Sequence, residues 1–93
     1  MGIHHIAGIT KRKIFLYALS TCGWCKKTKE FLNKYNIAFD YIDVDLLDRT
    51  EQEKILTEMK RYNPRLSFPT IIIDDKITIV GYDEGKLREV LEL

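Results

Sequence analysis

Apolar residues follow two different spacings along the chain, and these spacings predict alternating strands and helices. Four apolar-rich segments have the composition of strands, and the first contains a continuous apolar run, Ile14 to Tyr17, as expected for a strand that is covered on both faces of a sheet. These segments are residues 13–18, 38–44, 68–73 and 77–80. Between and after them, apolar residues recur at three- and four-residue steps, which indicates amphipathic helices. The predicted helices are residues 26–35, a segment that begins at Asp48 or Thr50 and ends before Asn63-Pro64, and residues 83–93.

The order of these elements, βαβ–α–ββα, predicts an α/β protein. Because parallel strands need a crossover helix, we expect the first two strands to be parallel. The last two strands, joined by a short polar turn, form a hairpin. We predict a four-stranded mixed sheet, in the order 2-1-3-4, flanked by three helices. Residues 13–93 form this domain, and residues 1–12 show no clear period and form a leading arm or an extra edge strand.

Charge and hydropathy exclude several classes of partner. The formal net charge of the 93-residue chain is +1, with acidic and basic residues interleaved, so we do not expect nucleic acid as a partner. The apolar runs are only a few residues long, which predicts no membrane span. No basic start followed by a long apolar run opens the chain, so no signal peptide is predicted. We expect a cytoplasmic monomer.

The only two cysteines, Cys22 and Cys25, lie where the first strand leads into the first helix. At this spacing two thiols can close to a disulfide and reopen. A thiol at a helix N-terminus is next to unpaired N–H groups and the positive end of the helix dipole, which favour the reactive thiolate. We therefore predict that Cys22 is the nucleophile and Cys25 the resolving thiol. Positive charge near the pair comes from Lys26, Lys27 and Lys29, which we interpret primarily as a solvated face of the helix.

Other functions of the cysteine pair remain open. The pair could be a structural disulfide, although so short a loop contributes little entropic stabilisation. It could be part of a zinc site, for which only His4 and His5 remain as further cysteine or histidine ligands in one chain. The principal alternative is an iron–sulfur or zinc-binding module that uses the same cysteines in a dimer. Asp43 and Asp45 are interpreted as turn residues, and no acidic residue is assigned beneath the dithiol.

Three motifs, on this order of elements, resemble the glutaredoxin branch of the thioredoxin fold over residues 12–93. They are Cys22-Gly23-Trp24-Cys25, Ser67-Phe68-Pro69 and Val80-Gly81-Tyr82-Asp83-Glu84. The resemblance implies a thiol–disulfide oxidoreductase that reduces protein or small-molecule disulfides. It requires no metal or organic cofactor, and its partners are disulfide-bearing proteins and an electron donor.

The resemblance also implies the residues that bind substrate. Pro69 is expected to be cis and to face the dithiol, where the backbone of Phe68 pairs with an extended substrate segment. Gly81 and Asp83 match the motif that holds the glutamyl end of glutathione, and Glu84 stands for its second acid. Tyr82, which lies within this motif, is also predicted to bind substrate. Trp24 either contacts partners or folds back against the edge of the sheet.

Three positions depart from the family pattern. Val80 replaces the first glycine of the glutathione-binding motif, Leu19 stands where a lysine is frequent, and Gly23 replaces the proline between the cysteines. These departures favour a flavoenzyme reductase or another small thiol over glutathione as the electron donor. Glutathione or another low-molecular-weight thiol therefore stays open as the reductant.

Overall fold

The computed structural model describes residues 2–93 as one mixed sheet with helices on both faces. The strands are β1 (Ile3–Ile6), β2 (Ile14–Ala18), β3 (Phe39–Asp43), β4 (Thr70–Ile73) and β5 (Ile77–Val80). The helices are α1 (Gly23–Lys34), α2 (Arg49–Lys60) and α3 (Glu84–Leu91), and a short 3-10 turn spans Val44–Leu46. Within residues 2–93, every helix is too short or too polar to cross a bilayer.

The strand order is β1-β3-β2-β4-β5, with β2 and β3 parallel and all other neighbours antiparallel. The four predicted strands lie in the predicted order, and residues 3–6 form the extra edge strand that was one of the two alternatives for residues 1–12, so the sheet has five strands rather than four. The fifth strand, β1, pairs with β3 from Ile3 opposite Ile42 to Ile6 opposite Phe39. Its sequence gives no strand signal, because it is a mostly exposed edge strand of four residues held largely by main-chain pairing.

The apolar side chains of the sheet divide between two cores. Helices α1 and α3 cover one face, where Leu32 and Leu87 pack with Leu16 and Ile71 of the central strands. Helix α2 covers the other face, where Met59 packs with strand residues that include Tyr17, Ile42 and Ile72. Alternation along the central strands β2 and β4 sends side chains to both faces, which explains their continuous apolar runs. The covered sheet therefore gives a rigid support to the loops that follow its strands.

Helix α1 begins earlier than predicted, at Gly23 rather than Lys26. Its N-cap is Cys22, whose sulfur accepts a hydrogen bond from the backbone N–H of Cys25. Neither Ser20 nor Thr21 caps the helix, and Ser20 instead donates from its N–H and its hydroxyl to the Asp45 carboxylate across the loop. Sequence propensities favour a hydroxyl cap, and only the path of the chain into the helix selects the sulfur.

The loop between α2 and β4 is anchored by a buried amide. Asn63 is only 4% exposed, and its side-chain NH2 donates to the Ser67 hydroxyl and the Thr70 hydroxyl, each at 2.9 Å. Its side-chain oxygen accepts from the backbone N–H of Arg65 at 3.1 Å. These bonds hold both ends of the segment that leads to Pro69. Sequence reasoning identified Asn63 only as a helix stop, because its partners depend on how the loop closes.

Replacing Asn63 by alanine should destabilise the protein by about 2–4 kcal/mol, because it removes a buried amide together with its bonds to buried Thr70 and half-buried Ser67. Urea unfolding of the purified variant measures this. Asn33→Ala is the matched control, since Asn33 is exposed on α1, and its effect should stay within about 0.5 kcal/mol. Equal effects of the two substitutions would contradict the anchoring role of Asn63.

Candidate active site

Cys22 occupies the junction between β2 and α1, with its sulfur at the N-terminus of the helix. Its backbone is extended (φ −85°, ψ 117°), and its sulfur lies 3.2 Å from the backbone nitrogen of Cys25, which donates to it. The Cys22 N–H donates to the Leu19 carbonyl at 3.2 Å, which closes the turn. The side chain is partly exposed. A substrate sulfur can therefore reach Cys22, while backbone N–H groups face it.

Cys25 lies one turn into α1 and has no solvent exposure. Burial, followed by its hydrogen bond with Cys22, raises the pKa of the Cys25 thiol. The positive charge of Lys29 acts on this pKa in the opposite direction, but burial dominates. Both cysteines are free thiols in the structure. The pair is thus asymmetric, with one accessible sulfur and one that is reached only through the first.

An apolar groove of about 240 Å³ is lined by residues from three separated segments. The lining residues are Trp24, Phe68, Pro69, Gly81 and Tyr82. The Phe68–Pro69 peptide bond is cis. The structure therefore brings together five of the predicted substrate-binding residues, although the sequence separates them by up to 58 positions (24 to 82).

The Trp24 side chain is mostly exposed and also packs on a neighbouring aromatic ring. It is 60% exposed, and its ring stacks on that of Tyr82 with 6.0 Å between the centroids. Thr28 donates from its hydroxyl to the Trp24 carbonyl at 2.9 Å, which holds the first turn of α1. An exposed ring on a fixed base forms a wall of the groove and still offers a face to a partner.

The remaining predicted binding residue, Asp83, does not line this groove. Its carboxylate accepts from the backbone N–H of Lys86 at 3.0 Å and caps α3. Gly81 has a φ of +80°, a conformation that strongly favours glycine. Each residue thus has a local structural task at the start of α3.

A second depression, of about 190 Å³, is lined by Cys22 itself and is more polar than the groove. Its lining residues are Leu19, Ser20, Thr21, Cys22, Gly23, Lys26 and Lys29. Asp45 borders this region, where it accepts from the Ser20 N–H at 2.8 Å and from the Ser20 hydroxyl. These bonds, the hydroxyl bond first, lower the pKa of Asp45. Sequence reasoning assigned Asp45 to a turn, whereas the structure shows it fastening the loop that leads to Cys22.

Lys29 is not simply part of a solvated face, as the sequence suggested. Its ammonium group lies 3.3 Å from a carboxylate oxygen of Asp43 and 4.0 Å from the ring centre of Tyr41. The two charged side chains are only 23% and 12% exposed. Asp43, predicted as a turn residue, therefore places a half-buried positive charge between α1 and β3. No local pattern signals this pair, because its partners are 14 residues apart.

The structure also bears on metal binding. Among residues 2–93, no three histidine, cysteine, aspartate or glutamate side chains lie close enough together to hold a metal ion. Metal bound through Cys22 and Cys25 would therefore need ligands from a second chain or from an added thiol.

The sheet order, the three helices and the Cys-x-x-Cys pair at the start of α1 define the thioredoxin-like class of folds. Comparisons with known proteins specify the family within that class. The glutaredoxin family model matches residues 14–78, and the chain belongs to the glutaredoxin family. The comparisons support the predicted resemblance and fold, and glutaredoxin relatives imply thiol oxidoreductase activity.

Three relatives illustrate the similarity. The glutaredoxin of Methanosarcina mazei Go1 has 44% identity and a TM-score of 0.89, with 100% of this chain and 90% of that chain covered. The methanoredoxin of Methanosarcina acetivorans has 44% identity and a TM-score of 0.91, with 100% and 97% covered. A glutaredoxin-like 8.6 kDa protein encoded in the rubredoxin operon of Clostridium pasteurianum is 37% identical over 79 residues, which cover 85% of this chain and 97% of the relative.

The reduced protein should lose stability as the pH rises above the ordinary thiol range, near about 8.5. Because the pKa of Cys25 is raised in the folded state, the neutral thiol contributes stability that is complete below that range. This contribution is lost as the pH rises through the folded-state pKa. Relative to Cys25→Ser, the wild type should lose about 1 kcal/mol per pH unit. Urea unfolding under a phosphine reductant measures the difference.

Burial and then its bond to Glu58 also raise the pKa of Tyr17, which gives a further contribution that falls at alkaline pH. Tyr17 is present in both proteins, so its contribution cancels from the comparison. A stability difference that stays constant to about pH 10 would contradict the burial effect on Cys25.

Proposed function

We propose that the protein is a dithiol oxidoreductase that reduces disulfides, with Cys22 as the nucleophile and Cys25 as the resolving thiol. The observation that carries the proposal is the asymmetry of the pair. Cys22 is partly exposed, whereas Cys25 has no exposure and its backbone N–H donates to the Cys22 sulfur. In a dithiol reaction the substrate must reach one sulfur first, and the other sulfur then attacks the mixed disulfide, so one thiol has to be accessible and the other close behind it.

The reaction is two successive thiol–disulfide exchanges. The Cys22 thiolate attacks one sulfur of the substrate disulfide, which breaks that bond and releases the first substrate thiolate. The Cys25 thiol then loses its proton to solvent and attacks the Cys22 sulfur. The mixed disulfide breaks, and its electron pair leaves with the second substrate sulfur, which takes up a proton. The protein is oxidised by two electrons, and an external reductant restores the dithiol.

The apolar groove, which Trp24 of the Cys22–Cys25 motif helps to line, supports disulfide-bearing protein segments as substrates. Its walls, Trp24 and Tyr82, form a stacked aromatic pair, and its other side contains the cis Phe68–Pro69 bond. In our proposal an extended segment lies in the groove, with its backbone paired to that of Phe68. The aromatic walls then contact the neighbouring side chains without selecting one sequence.

Two contacts favour an electron donor other than glutathione. Leu19 packs against the α2 core, so it offers an apolar side chain at the position of the frequent family lysine. The Asp83 carboxylate already caps α3, and the exposed Val80 precedes Gly81. The proposal leaves a flavoenzyme reductase, glutathione and other small thiols as candidate donors. A reducing compartment such as the cytoplasm suits this direction of electron flow.

Mixing the reduced protein with excess 4,4′-dithiodipyridine should release about two equivalents of thiopyridone and leave an intramolecular disulfide. Cys25→Ser should release about one equivalent and remain as the Cys22 mixed disulfide, because no resolving thiol is present. Cys22→Ser should react at least roughly tenfold more slowly, because the remaining thiol is buried. Absorbance gives the stoichiometry and intact mass identifies the products.

The proposed order of attack would be overturned if Cys22→Ser reacted as fast as Cys25→Ser. Release of only one equivalent by the wild type would remove the dithiol cycle. Reduction of the disulfide form by glutathione, and by a thioredoxin reductase with NADPH, then compares two of the donors directly.

A further inference from the structure

Lys29 is the half-buried cation on the helix that carries both cysteines. Its side chain is 23% exposed, whereas Lys26 and Lys27 on the same helix are exposed. Lys29 lies one helical turn after Cys25, at the i+4 position, and lines the depression that also contains Cys22. A cation is therefore placed one helical turn from Cys25 and in the depression that Cys22 lines.

Contacts from β3 restrain this ammonium group. Asp43 lies 3.3 Å from it, and the ring of Tyr41 lies 4.0 Å below it, where the ring face attracts a cation. The charge of Lys29 also acts to lower the pKa of Asp45, which follows β3, and that of Cys25. A lysine that would otherwise sample many rotamers is thus held between the helix and the sheet. A fixed, partly desolvated charge acts more strongly on its neighbours than a solvated one.

A nearby positive charge should matter more in the second exchange step, in which Cys25 attacks the mixed disulfide, than in the first. Cys25 has no solvent exposure, and burial penalises the thiolate that must form before it attacks. The ionisable side chains that act on Cys25 are Cys22 and Lys29. Once Cys22 is in a mixed disulfide it is neutral, and Lys29 is then the charged group that favours ionisation of Cys25.

We propose that Lys29, held by Asp43 and Tyr41, is a positioning residue that stabilises the Cys25 thiolate during resolution of the mixed disulfide. The inference rests on the proposed dithiol function and deepens it. Lys29 acts by its charge and does not take up the proton, which leaves Cys25 to solvent. The S–S bond between Cys22 and the substrate breaks as the Cys22–Cys25 bond forms, so the electron balance of the exchange is unchanged.

The two steps can be separated with 4,4′-dithiodipyridine, a probe that carries no anionic group to dock on lysine. In stopped flow the first thiopyridone reports attack by Cys22, and the second reports resolution by Cys25. In Lys29→Gln the second step should be about 3- to 10-fold slower near pH 7, and its pH midpoint should move upward. The rate of the first step should change less than that of the second.

Lys27→Gln is the matched control, because it removes the same charge from an exposed position on the same helix. It should leave the second step within about twofold of wild type. Lys29→Arg keeps the charge and should restore most of the resolution rate. Urea unfolding of each variant separates a loss of stability from a shift of the pH profile, which a purely structural role would not produce.

Equal slowing by Lys29→Gln and Lys27→Gln would overturn the inference, since general surface charge would then explain the effect. Equal slowing of both steps in Lys29→Gln would also overturn it, because Lys29 would then act on Cys22 or on docking. Neither result would affect the dithiol cycle. That cycle fails only if the wild type lacks the second release, so the two proposals fail by different observations.

Discussion

The hydrogen bond from the Cys25 N–H to the Cys22 sulfur is the contact on which the site depends. It makes Cys22 the cap of α1, so the helix begins at the next residue. That start sets the rotation of the helix, which directs Cys25 inward, where it has no exposure. With a cap at Ser20 or Thr21, as sequence preference favours, the two sulfurs would lie differently on the helix. The residue at which α1 begins therefore decides that Cys22 is partly exposed to solvent and that Cys25 is buried.

The covered sheet supplies the support that this terminus needs. Strand β2 is central, and helices on both faces hold it in two cores. On the groove side, the buried amide of Asn63 bonds to Ser67 and Thr70 and holds the segment around Pro69. Because interior packing is dense, such a loop has little freedom to shift relative to α1. The groove and the dithiol consequently keep a fixed relation, although they come from distant segments.

Two acidic side chains, Asp43 at the end of β3 and Asp45 just after it, hold residues of the depression that Cys22 lines. Asp45 binds the N–H and hydroxyl of Ser20, and Asp43 holds Lys29. A surface ion pair is worth little, but a half-buried pair with an additional ring contact restrains a side chain that would otherwise be mobile. The two carboxylates thus fix the loop that leads to Cys22 and place a positive charge beside the helix. In the sequence they look like ordinary turn residues.

The sequence by itself determined the order of elements, the arrangement of four strands and the position of the Cys-x-x-Cys pair, because periodicity and motif spacing are local properties. It left residues 1–12 as either a leading arm or an extra edge strand, because the exposed residues of β1 carry no burial pattern. Only the tertiary structure decided that Cys22 is the cap, that Asn63 anchors a loop and that Asp43 pairs with Lys29. Each of these contacts depends on chain segments meeting in space, and hydrogen bonds and ion pairs between distant residues leave no period in the sequence.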